Sequence, residues 1–107
     1  MQRQIPEGLL NELKKGLELI YNDWLQGVYL FGSYARGEQD SESDLDILII
    51  LKSFERYSAE VKRTGELVSS LSLKYGVSIS RTFVRENEWI KGDSPLLRNV
   101  RQEAIPA

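Results

Sequence analysis

Apolar residues recur at spacings of three and four from Leu9 through Leu13, Leu17 and Ile20 to Trp24. That period predicts an amphipathic helix over about 6–24, with Pro6 near its first turn and the stripe packed into a core. Val28 to Phe31 is a short apolar run of strand formers that ends at Gly32. Residues 33–43 are small, polar or charged and predict a turn, with one helical turn at 33–37. The run Leu45 to Leu51 is apolar throughout except for Asp46, the pattern of a strand buried on both faces. Phe54, Tyr57, Val61, Thr64, Val68, Leu71 and Tyr75 again alternate three and four, which predicts a helix over 54–75 stopped by Gly76. A third strand is expected over Val77 to Val84 and a short helix over Glu86 to Ile90. The turn from Gly92 to Pro95 then starts a last helix that runs to about Glu103. Trp89 and the Pro95–Leu97 segment suit either packing of that helix on the sheet or a partner surface. The order helix, strand, turn, strand, helix, strand, helix predicts an α/β fold: a small mixed sheet of about three strands flanked by helices.

Length and composition bound the chemistry. At 107 residues the chain is expected to form one domain, 1–107, large enough for one core. No apolar run approaches the ~20 residues of a membrane-spanning helix. Met1 to Pro6 carries no apolar secretion signal, so a cytoplasmic location is the default expectation. Cysteine and histidine are both absent. Disulfides, thiolate nucleophiles and Ser-His-Asp triads are thereby excluded within the chain. A metal here would be held by oxygen, which points to Mg²⁺, Mn²⁺ or Ca²⁺. The net charge of −2 lacks the basic excess of a nucleic-acid binder, so direct nucleic-acid binding is not expected.

The candidate chemistry lies between the first two strands. Gly32 ends an apolar strand, where the missing Cβ permits a sharp turn and a close approach. Ser33 adds a hydroxyl and a backbone N–H at a helix start, a seat suited to phosphate oxygens. Asp44 and Asp46 stand at i and i+2, so within a strand both would point to one face. Two adjacent carboxylates repel, and a divalent cation would offset that repulsion. The alternative is a strand that begins after them, leaving both solvated or capping nearby backbone. A phosphate seat followed by a carboxylate pair would set a metal beside a polyphosphate, the requirement of phosphoryl or nucleotidyl transfer.

Gly32-Ser33, ten residues, then Asp44-x-Asp46 resembles the G-S-x(10)-D-x-D signature of the DNA polymerase β-like nucleotidyltransferase superfamily. The fuller string GSYARGEQDSESDLDILI is similar to the minimal nucleotidyltransferases, or MNT proteins, with Arg36-Gly37 and Ser43 matching their usual form. The resemblance implies the polymerase β-like nucleotidyltransferase fold. It implies that Gly32 and Ser33 hold the terminal phosphates of a nucleoside triphosphate, and that Asp44 and Asp46 bind Mg²⁺ (or Mn²⁺). Arg36 would pair with phosphate or with a surface carboxylate; Glu38, Asp40 and Glu42 would form a solvated acidic turn. MNT proteins pair as antitoxins with HEPN-type ribonuclease toxins and transfer AMP from ATP to a toxin tyrosine, so the resemblance implies a HEPN toxin partner and ATP as donor.

One element of the family pattern is missing. The family carries a third carboxylate on the next strand, and here that strand reads Val77-Ser-Ile-Ser-Arg81. Aligning the strand starts puts Ser78 at the acid position, with Ser80 the other candidate. A serine hydroxyl is a poor metal ligand and no base near neutral pH. Glu86, Glu88 and Asp93 follow later and would have to fold back to reach the site. Two functions of different classes follow: an active protein adenylyltransferase, or a non-catalytic nucleotide-binding module that neutralises its partner by complex formation.

Overall fold

A computed structural model describes residues 4–92 and 94–107. The first helix, α1 (Leu9–Tyr21), buries Leu9, Leu13, Leu17 and Tyr21 at a spacing of four. It stops short of Trp24 because Asn22 turns to φ 50°, and a 3₁₀ turn over Asn22–Trp24 follows. Trp24 therefore leaves the stripe and is 51% exposed.

The chain continues through strand β1 (Leu25–Phe31), the single turn α2 (Ser33–Arg36) and strand β2 (Leu45–Leu51). The expected helix over 54–75 is two helices, α3 (Tyr57–Arg63) and α4 (Gly65–Tyr75). They break at Thr64, whose wholly buried hydroxyl donates to the carbonyl of Glu60 and accepts from Arg81 Nε at 2.8 Å. Gly65, a poor helix former, directly follows. Strand β3 (Ile79–Arg85), α5 (Glu86–Lys91) and α6 (Pro95–Glu103) complete the expected order. Ser94 caps α6 by accepting from Leu97 N–H, and Pro95 fills its first position. Asp93 and its part of the 92–95 turn lie outside the described residues.

Among the described residues the sheet has four strands in the order β3-β2-β1-β4, where the pattern predicted about three. The extra strand, β4 (Ile105–Pro106), is too short and proline-bearing to announce itself, and it pairs antiparallel with Tyr29 and Leu30 of β1. β1 and β2 are antiparallel and β2 and β3 parallel, so the sheet is mixed as expected.

The alternation of β2 divides the structure into layers. Leu45, Ile47, Ile49 and Leu51 pack with Leu9, Leu13, Leu17 and Leu71 of α1 and α4 in the main core. Leu48 and Ile50 face the other way, toward Val84 and Val100, with Trp89 and Leu97 of α5 and α6 beside them. Asp46 shares this second face, two residues before Leu48.

Candidate active site

Gly32 closes β1 at φ 76° and ψ −156°, a conformation open in practice to glycine alone. It also lies against the carboxylate of Asp46, where a Cβ would collide with Oδ2. The two halves of the predicted constellation therefore meet in space. The antiparallel register explains why, since Phe31 stands opposite Asp46 and Gly32 follows at once. Buried Tyr34 anchors α2 to the core, which fixes the turn that carries Ser33 and Arg36.

Asp44 stands just before β2 and is exposed; Asp46 is the second residue of the strand and half-buried. The loop before them is ordered rather than merely solvated. Asp40 Oδ1 accepts from Glu42 N–H, and Ser43 Oγ accepts from Asp40 N–H at 3.0 Å. This self-bonded turn delivers Asp44 to the strand start. Burial raises the Asp46 carboxyl above its ordinary pKa, and the negative charge of Asp44 pushes the same way. Arg36 opposes the shift, and Glu103 adds to it. A pair of carboxylates held together against their mutual repulsion has the donor chemistry a hard divalent cation requires.

Along the neighbouring strand the parallel register sets Ser80 opposite Asp46. Ser78 precedes β3, and its carbonyl accepts from Leu45 N–H at 2.8 Å. β3 begins at Ile79 opposite Leu45, so of the two serines Ser78 lies just before the strand and Ser80 lies within it. Either way a serine stands where a carboxylate was sought. Glu86 and Glu88 do not fold back: they follow the far end of β3, and Glu88 pairs with Arg85 at 3.1 Å. Among the described residues no group of three acidic side chains is placed to hold a metal.

Arg36 is engaged by two carboxylates, Glu38 at 3.1 Å and Glu103 at 3.0 Å. Glu103 also accepts from Gly32 N–H through its other oxygen at 3.0 Å. The Arg36 guanidinium, helped by the Gly32 N–H, holds the Glu103 carboxyl below its ordinary pKa. Glu103 is the site residue that sequence reasoning missed. It lies 71 residues from Gly32 at the end of a helix assigned to packing, and no local pattern marks it.

The fold and the Gly32–Asp46 constellation define a nucleotidyltransferase, and the chain belongs to that family: the nucleotidyltransferase domain matches residues 10–106. Within it the chain is of the minimal, MNT type. A Methanocaldococcus jannaschii protein named as an inferred protein adenylyltransferase is 43% identical over 72 residues, covering 67% of this chain and 72% of that one. A solved structure described as a minimal nucleotidyltransferase by assignment is 30% identical, covers 94% of both chains and has a TM-score of 0.56. A toxin-antitoxin crystal structure with AMP-PNP is 26% identical, covering 90% of this chain and 69% of that one at a TM-score of 0.63. A Shewanella oneidensis MNT antitoxin bound to a tri-AMPylated HEPN toxin shares the fold at 19% identity and a TM-score of 0.51, with 92% and 70% covered. No helix among the described residues is long and apolar enough to cross a membrane.

Proposed function

We propose that this chain is an antitoxin-type protein adenylyltransferase, which transfers AMP from ATP to a tyrosine of a HEPN-type toxin. The observation that carries this reading is the Asp46 carboxylate set against Gly32 at the start of the Ser33–Arg36 turn, with Asp44 two residues before it. The relatives named as adenylyltransferases and the AMP-PNP-bound toxin-antitoxin neighbour support it.

Asp44 and Asp46 would hold Mg²⁺ or Mn²⁺, which supplies neutralisation of the triphosphate charge. Gly32 N–H, Ser33 and Arg36 bind and orient the terminal phosphates. In the reaction the acceptor oxygen forms a bond to the α-phosphorus, the α–β anhydride bond breaks, and pyrophosphate leaves with the electron pair. The acceptor hydroxyl's proton leaves to solvent water, because β3 carries no carboxylate to receive it and Ser80 stands opposite Asp46. That observation favours a second reading, in which the chain neutralises its partner by binding alone.

The two readings separate in one experiment. The chain is incubated with the HEPN-type toxin proposed as its partner, ATP and Mg²⁺, and the toxin's intact mass is measured. Transfer predicts added AMP units with the wild type and none with Asp44→Asn. An unmodified toxin that is still neutralised, by wild type and variant alike, contradicts transfer and supports binding alone.

A further inference from the structure

Glu103 occupies the groups that the nucleotide reading assigns to phosphate. One of its oxygens accepts from Gly32 N–H and the other from Arg36 Nη1, each at 3.0 Å. A carboxylate bound through both oxygens to a backbone amide and a guanidinium reproduces how a phosphate would be held there. Its source is the last turn of α6, and that helix is lightly seated. Val100 is its buried residue, whereas Leu96 is 61% exposed. A cavity of about 420 Å³ opens between α6 and the sheet, lined by Phe31, Leu48, Thr82, Val84, Leu97 and Val100. Arg101 on the same helix stacks over Trp89, 5.0 Å from the ring centre. Beyond Glu103 the chain is pinned by the pairing of β4 with β1.

We propose that Glu103 is a built-in competitor for the phosphate seat: a nucleoside triphosphate enters by displacing the Glu103 carboxylate from Gly32 and Arg36, which releases the C-terminal turn of α6. This rests on the nucleotide-binding reading of the site and adds its regulation. Charge and donor supply favour the exchange. Arg36 is already shared between Glu38 and Glu103, and Gly32 N–H is taken by Glu103. A polyphosphate added beside Glu103 would bring further anions to a site already rich in them, whereas one that replaces Glu103 inherits both donors. The ligand-free chain is thus held latent, and nucleotide occupancy is coupled to the position of α6 and to the apolar cavity beneath it.

Binding of inorganic tripolyphosphate with Mg²⁺ to the wild type and Glu103→Gln, measured by calorimetry, tests the exchange. Glutamine keeps the shape and removes the competing charge, so the variant is expected to bind roughly tenfold tighter, the equivalent of one charge-assisted contact. Hydrogen exchange of the α6 amides supplies a second readout, expected to quicken in the wild type when tripolyphosphate binds. Equal or weaker binding by the variant, no binding by either protein, or binding that leaves α6 exchange unchanged overturns the proposal. AMP transfer to the toxin is scored separately. Tighter tripolyphosphate binding without AMP transfer contradicts the enzymatic reading alone, and AMP transfer with no gain in Glu103→Gln contradicts the competitor alone.

Discussion

Replacing Gly32 by alanine strikes the contact on which the site is built. At φ 76° and ψ −156° a side chain is strained in any surroundings, and here the added methyl also meets the Asp46 carboxylate. Backbone strain of this kind costs roughly 1–3 kcal/mol, with the displacement of Asp46 added to it. Gly37 provides the control. It is also left-handed, at φ 73°, but a Cβ there meets nothing within 4 Å. Gly37→Ala should therefore cost only the left-handed penalty of about 1–2 kcal/mol. The upper part of the strain range applies at Gly32, so Gly32→Ala should cost about 3 kcal/mol. At about 4–8 °C per kcal/mol for a domain near this size, it should melt roughly 15 °C below the wild type. Thermal unfolding by circular dichroism measures both variants, and calorimetry with Mg·ATP measures the site. Gly32→Ala should lose nucleotide binding, and Gly37→Ala should keep it. Equal melting temperatures for the two, with Mg·ATP binding intact in Gly32→Ala, would refute the argument that Gly32 exists to admit Asp46.

Asp46→Asn should stabilise the metal-free protein at pH 7 by on the order of 0.5 kcal/mol, from relief of a partly buried charge and of its solvent-screened repulsion with Asp44, and urea titration reads the gain. Because the Asp46 pKa is raised on folding, its penalty is present above that raised value and disappears in acid, so the gain should vanish as pH falls. Glu103→Gln should behave in the opposite sense. The Glu103 pKa is lowered on folding, so its contribution is full above the ordinary carboxylate range and is lost as pH falls through the lowered value. Melting curves of wild type and Glu103→Gln should accordingly converge in acid; a constant gap would contradict the Arg36 pairing. Thr64→Val should cost about 1–3 kcal/mol in urea unfolding, because Arg81 Nε is left without its acceptor beside the α3–α4 break.

Much of the fold was legible because burial imposes period. The α1 stripe, the unbroken run of β2 and the stop at Gly76 each report how water is excluded from the core. The break at Thr64 was hidden because the apolar period runs unbroken across it, and part of what holds Thr64 there is a hydrogen bond from Arg81, 17 residues away. β4 was hidden because two residues carry no period, and its pairing is set by where α6 releases the chain. At the candidate site, Gly32, Ser33, Asp44 and Asp46 are close enough in sequence to form a motif, and one antiparallel register brings Gly32 against Asp46. Glu103 reaches the same point through tertiary packing alone. Asp40 shows the intermediate case: its acidity was visible, but its work as the clasp of the 40–43 turn depends on backbone geometry.

The central claim is that this constellation binds a nucleoside triphosphate through a divalent cation. Calorimetric titration of ATP into the wild type and Asp46→Asn, each with and without Mg²⁺, tests it most directly. The account predicts saturable binding by the wild type that requires Mg²⁺ and is lost in Asp46→Asn. Absence of binding by the wild type, or binding indifferent to both Mg²⁺ and Asp46, would contradict it.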